Sequence, residues 1–152
     1  MKFRILSVGH QTPAWIQTGI TEYIKRMPAF CKVEMVEIAP VKNPNPEKLL
    51  ALEGEKMQAQ IKQGHRVIAL DVKGKTISTE QFAEAFGRWQ QEAINVDFLI
   101  GGAFGLSNEC LGKAHEVWSL SALTFPHMMV RLILVEQLYR VWTIQAKHPY
   151  HH

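Results

Sequence analysis

Apolar positions along this chain follow two alternating rhythms. Short dense runs read as strands: Phe3–Val8 (FRILSV), Val33–Ile38, Arg66–Val72 (RVIALDV), Asp97–Ile100 (DFLI) and Trp118–Leu123 (WSLSAL). Arg66–Val72 is nearly continuous in apolar character, as suits an inner strand covered on both faces. Helical signals separate the runs. Thr12 reads as an N-cap with Pro13 in the first turn, and Trp15, Ile16, Ile20, Tyr23, Ile24 and Met27 recur at helical spacing up to Pro28. Asn45-Pro46 repeats that start, and a helix with few apolar positions follows to about Gln63, one face of it wet. Ser78 with Gln81 predicts a capping box and a helix to about Ala93. Ser107 caps a short helix to about Val117, and a final helix runs from about Pro126 to Ala146. Pro40–Pro46 (PVKNPNP) and Lys73-Gly74-Lys75 read as a loop and a turn.

Strands alternating with helices predict an α/β fold: a mostly parallel sheet with helices on both faces. Ligands of such sheets bind beyond the carboxyl ends of the strands. Three loops meet that description, after Leu70, after Ile100 and after Leu120.

Length and composition narrow the class. A chain of 152 residues, 47% hydrophobic and 20% charged, reads as one globular domain over 1–152 and not as a disordered chain. Cys31 and Cys110 stand far apart without CxxC or CxxH companions, so neither a zinc site nor a disulfide framework is indicated. Lys2 and Arg4 precede no apolar run long enough for a leader, and no stretch approaches the about 20 residues of a membrane helix. A cytoplasmic protein without metal or membrane is expected. The net charge of +3 permits an anionic partner without demanding one.

Four constellations carry candidate chemistry. Gly101-Gly102-Ala103-Phe104-Gly105 follows an inner strand and allows a ligand close to the backbone, or simply a tight turn. It is neither GxGxxG nor a P-loop. Ser119–Pro126 (SLSALTFP) offers backbone groups and apolar walls to a flat heterocycle, or is an edge strand entering a helix. The last helix is so apolar around its first half that a subunit interface is expected to cover it. Arg131 on that helix needs an anion, either a carboxylate across the interface or a ligand or RNA phosphate. Glu136, Arg140, Thr143 and Lys147 form a polar stripe, with Glu136 and Arg140 as an i,i+4 pair. The tail, Lys147-His148-Pro149-Tyr150-His151-His152, combines cations with an aromatic ring, the means by which unstacked RNA bases are held, although termini are disordered by default.

At these residues the chain resembles a known family. VGHQTPAWIQTGITEYIKRMP, IALD, LIGGAFGLS, WSLSALTFPHMMVRLILVEQLYRVWTI and HPYH look like the small SPOUT-class methyltransferases that modify N3 of a pseudouridine in 23S rRNA. The resemblance implies a C-terminal trefoil knot, a homodimer and S-adenosylmethionine as donor. It places the donor against Leu70, Gly101 and Gly102, and Leu120, Ser121, Ala122, Leu123, Thr124 and Phe125. The family's GGPEG reads GGAFG here, and the basic residue after HPYH is replaced by His152. Arg131, His148 and Tyr150 are then the catalytic candidates, the tail groups closing over the base, and Arg140, Lys147 and His151 the RNA contacts. The substrate would be rRNA within the assembled ribosome. Two other classes stay open: an rRNA- or ribosome-binding module without catalysis, motivated by Ala103-Phe104, and a generic nucleotide-binding α/β protein.

Overall fold

The computed structural model describes residues 1–152. The elements follow in the order β1 (Lys2–Val8), α1 (Ala14–Arg26), β2 (Lys32–Ile38), α2 (Pro46–Gln60), β3 (Arg66–Thr76), α3 (Thr79–Glu92), β4 (Val96–Ile100), α4 (Asn108–Lys113), β5 (Glu116–Ser119) and α5 (His127–Gln145), with a 3-10 turn at Pro149–His151. The five strands form one parallel sheet in the order β2-β1-β4-β3-β5.

Alternation along the strands divides the core. Phe3, Ile5, Ile68, Phe98, Ile100 and Trp118 face α1, α3 and α5. Leu6, Val8, Val67, Ala69 and Leu99 face α2 and α4, meeting Met57 and Cys110. Aromatic packing fills the first face. Trp89 stacks on Trp118 at 5.9 Å, and Phe82 meets Trp118 edge-on at 5.1 Å. β4 is buried throughout, as its apolar run requires. One polar cluster interrupts the second face. Asp97, fully buried, accepts from Arg4 Nη1 at 2.9 Å and from the Lys62 N–H at 2.9 Å, and lies 2.8 Å from His65 Nδ1. It ties the start of β3 to β1 and β4.

α5 lies between α1 and α3. A Cβ on Gly19 would touch Leu132 Cδ1 at 2.9 Å, and Gln145 Nε2 donates to the Ala83 carbonyl at 2.8 Å. Its start abuts the end of β1, since a Cβ on Gly9 would meet Met128, Arg131 and His127. α5 therefore runs opposite to the strands.

Several boundaries differ from the sequence reading. Pro13, not Thr12, is the N-cap of α1, because the Thr12 hydroxyl accepts from Arg131 instead of capping. Lys73-Gly74-Lys75 is no free turn. β3 continues to Thr76 past an irregularity, pairing Lys75 and Thr76 with Trp118 and Ser119. Glycine is needed there, since a Cβ on Gly74 would lie 2.7 Å from the Val117 carbonyl oxygen. β5 ends at Ser119, leaving Leu120–Phe125 as loop, and α4 stops at Lys113. The capping box of Ser78 and Gln81 forms as expected. Cys31 and Cys110 are free, buried thiols.

Candidate functional site

Register brings three strand ends together. Leu70 on β3 pairs with Ile100 on β4 and with Trp118 on β5. The segments that follow, the irregularity of β3 at 71–74 and the loops 101–106 and 120–126, thus leave the regular sheet from one row at its carboxyl edge. The sequence-predicted donor residues Leu70, Gly101, Gly102 and Leu120 to Phe125 all lie on this row or in these loops.

Each loop has a local cause. Gly101 is held against the Gly105 backbone so closely that a Cβ would collide with its carbonyl group. Gly105 has φ +78°, and its N–H donates to the Gly102 carbonyl at 3.1 Å. Gly102 and Gly105 form an isolated bridge across the turn, and no backbone partner in the chain takes the N–H groups of Gly101, Ala103 or Phe104. In the third loop Ser119 Oγ donates to the Ser121 carbonyl at 3.0 Å, and Ser121 Oγ accepts from the Leu123 N–H at 2.9 Å. The backbone groups of Leu120, Ala122, Thr124 and Phe125 find no partner within the chain. Regular structure would consume such groups; here they are free for a ligand. Val72, Phe104 and Leu123, among the few large apolar side chains left exposed, sit one in each of these three segments.

These residues fit a flat, polar-edged adenosyl group. Glycines admit it to the backbone, free N–H and C=O groups match a heterocycle edge, and Leu120 and Phe125 supply half-buried apolar walls.

Arg131 is engaged inside its own chain and is 1% exposed. Nε donates to Ser7 Oγ at 2.7 Å and Nη1 to Thr12 Oγ1 at 2.8 Å, with Glu37 Oε1 at 3.5 Å. Nη2 donates to the carbonyls of Val8 at 3.0 Å and Gly9 at 2.9 Å. Its anion is Glu37 of the same chain, which corrects the expectation of an interfacial or ligand partner. Burial pulls the guanidinium pKa down, opposed by Glu37. Burial, then Arg131, likewise lowers the pKa of His127.

The tail is ordered. His148 caps the 3-10 turn, its Nδ1 accepting from the Tyr150 N–H at 3.2 Å, and its ring lies 6.1 Å from that of Trp142. The Tyr150 hydroxyl is 3.0 Å from that of Tyr23 and 3.2 Å from Glu136 Oε1. Arg140 pairs with Glu136 at 2.6 Å and covers the Tyr150 ring at 5.1 Å. Burial, the Tyr23 hydroxyl and the Glu136 charge all push the Tyr150 pKa upward. Lys147 and His148 are exposed and His151 is half-buried. Thr143 is not part of the polar stripe: it is buried and donates to the Arg140 carbonyl at 2.6 Å.

Tail and donor loops lie at opposite ends of α5. The 19 residues of α5 separate them, roughly 28 Å at ~1.5 Å per residue. The sequence reading did not find Tyr23, Thr12 and Glu37 as the partners of Tyr150 and Arg131, nor buried Glu53 behind the glycine-rich loop. For Glu53 a signal was present. Gly54 interrupts a helix, which marks a close approach, and a Cβ there would collide with Ser107 Oγ.

A parallel sheet whose glycine-rich and backbone-offering loops converge on one row has the kind of edge at which ligands of such sheets bind, and comparison assigns the family. The family described as "Predicted SPOUT methyltransferase" matches residues 1–151, and the chain belongs to that family. Among its relatives, proteins named "Ribosomal RNA large subunit methyltransferase H" from Saccharophagus degradans and Polynucleobacter asymbioticus are 47% and 48% identical, over 99% of each chain. The fold is also that of a probable methylase family protein from Haemophilus influenzae (TM-score 0.60, 14% identity, 96% of this chain and 67% of that one). A probable methyltransferase from Bordetella pertussis is similarly related (TM-score 0.59, 15% identity, 91% of this chain and 95% of that one).

Proposed function

We propose that this chain is an S-adenosylmethionine-dependent methyltransferase of large-subunit rRNA, acting on N3 of a pseudouridine in 23S rRNA within the assembled ribosome. The observation that carries the reading is the single row of Leu70, Ile100 and Trp118, from which the three family loops depart together.

The donor supplies a methyl group on a sulfonium centre. The chain's residues do the rest. Free backbone groups of Leu120, Ala122, Thr124 and Phe125, with Gly101 and Gly102, hold and orient the donor. Arg131 fastens α5 to the end of β1 and the Gly9 loop, so it acts as a positioning residue for this edge and not as a substrate contact. His148 and Tyr150 close over the base, and Arg140, Lys147 and His151 meet RNA. About 28 Å from the loops of their own chain, these tail groups serve the loops of a second copy. The homodimer is supported by Met128, Met129, Val130, Leu132 and Ile133, which one chain leaves half-buried, and by exposed Trp15. A knot at the C-terminal third and a cytoplasmic location follow from the same reading, as does one domain over 1–152. No helix is long and apolar enough to cross a membrane.

The direct test is transfer of labelled methyl to ribosomes lacking the modification, with the modified nucleotide mapped by mass spectrometry. Label on N3 of one pseudouridine is the expected result. Saturable donor binding and ribosome binding without transfer would overturn the reading in favour of a non-catalytic module. The geometry does not favour that module: Ala103-Phe104 sits at the loop tip while the glycine turn beneath it is intact.

A further inference from the structure

A carboxylate behind the glycine-rich loop has no part in the account above. Glu53 projects from α2 and is 6% exposed. Its Oε1 is sealed from solvent and has no hydrogen-bond partner. Burial pushes its pKa upward, opposed by the Val41 N–H and the Lys56 charge. Leaving one oxygen of a buried carboxylate unsatisfied is unfavourable, and native chains rarely do so without a reason. The surrounding space, lined by Val8, Glu53, Gly105, Ser107 and Cys110 among others, amounts to about 10 Å³. That is far too small for a ligand and at the lower limit for one water.

The loop itself offers the missing partner. A Cβ on Gly102 would lie 3.5 Å from Glu53 Oε1, so the loop backbone passes beside the orphan oxygen. The Gly102 N–H faces the Gly105 carbonyl in an isolated bridge, more loosely than the reciprocal Gly105 N–H to Gly102 carbonyl bond at 3.1 Å. Between Gly101 and Gly105 the loop holds itself only by this bridge. A slight shift toward α2 therefore exchanges the loose Gly102 N–H contact for Glu53 Oε1 and leaves the Gly105 N–H bond in place.

We propose that Glu53 is a positioning residue for the donor loop: when the donor binds, the loop settles against α2 and the Gly102 N–H donates to Glu53 Oε1. The inference rests on the reading that this loop holds S-adenosylmethionine. The free protein keeps an unsatisfied carboxylate, and the bound form relieves it. Part of the donor's affinity thus comes from a group it never touches.

Glu53→Gln tests this without altering shape. The amide retains an acceptor for the Val41 N–H but presents a donor where the loop N–H would arrive. Calorimetric titration with S-adenosylmethionine should show affinity weakened about tenfold, the worth of one charge-assisted hydrogen bond. The Tm of the donor-free protein should stay level or rise, because a buried charge is gone. Donor-induced slowing of amide exchange at 102–105 should be lost. Glu53→Asp, its carboxylate drawn back by one methylene, should weaken donor binding in the same direction. Affinity within about twofold of wild type, or a donor-free Tm that falls together with affinity, would overturn the proposal. Absence of donor binding in the wild-type protein would overturn the donor reading itself, a result the variants cannot mimic.

Discussion

Replacing Arg131 by Met measures how far α5 and the end of β1 depend on one guanidinium. The substitution removes donors to Ser7 Oγ, Thr12 Oγ1 and the carbonyls of Val8 and Gly9. Ser7 and Val8 are buried at 1% and 4% exposure, so their acceptors meet no water afterwards. Each stranded buried acceptor costs about 1–3 kcal/mol. Against this, the guanidinium no longer has to be desolvated, and Met fills similar space. Breaking a buried charged network by removing one partner costs about 3–5 kcal/mol overall. At about 2–4 °C per kcal/mol for a domain of this size, Tm should fall by roughly 6–20 °C. The assay is denaturant unfolding at fixed protein concentration, with donor calorimetry on the folded fraction. Arg131→Lys keeps the charge but loses the planar fork, and should lie between Met and wild type. A stability loss below about 1 kcal/mol for the Met variant, with methyl transfer abolished, would refute the positioning role and restore Arg131 as a substrate contact.

Three other outcomes are expected. Gly101→Ala pushes a methyl group into the Gly105 carbonyl, so the loop must move; methyl transfer should drop by about a hundredfold, as for other displacements near 1 Å, while far-UV circular dichroism stays unchanged. Lys147 holds a left-handed φ of +57° at the end of α5, where its N–H donates to the Ile144 carbonyl at 3.2 Å and the His148 N–H to the Thr143 carbonyl at 2.8 Å; Lys147→Gly should stabilise the tail by up to about 1 kcal/mol, read as slower amide exchange at 148–151, while ribosome affinity falls with the lost charge. His127 has its pKa held below the ordinary 6.5 by burial and Arg131. The unfolded chain therefore takes up a proton first as pH falls below that value, and stability is present above it and lost beneath it; His127→Gln should flatten the Tm difference between about pH 7.5 and about pH 5.5.

What the sequence revealed and what it hid divides by range. The capping box of Ser78 and Gln81 closes within four residues, so local chemistry dictates it. The donor loops were legible because glycines and backbone-rich segments follow apolar strands, and parallel sheets place ligands there. The turn at Lys73-Gly74-Lys75 was misread because β5, more than forty residues later, takes up that backbone. Arg131 clearly needed an anion, but Glu37 lies 94 positions away and no local pattern pairs them. Tyr150 finds Tyr23 across 127 positions in the same way. Glu53 was missed despite the mark left by Gly54, because a helix poor in apolar residues reads as wet, while its buried face is made by Gly54 and a loop from the other half of the chain.

The strand order also governs how the molecule is made. β4 is the fourth strand to leave the ribosome, yet it is the middle of the sheet, joining β1 on one side to β3 on the other. Until Val96–Ile100 has been synthesised, the β1–β2 ribbon and β3 have no shared neighbour, and Phe3 lacks the Phe98 ring beside it. Parallel pairing across nearly a hundred residues closes slowly, because the chain must be looped before contacts reward it. A nascent chain arrested before β4 would expose apolar strand edges and invite capture by a chaperone. For this protein, folding becomes a late event of translation, completed only when α5 is laid over the finished sheet.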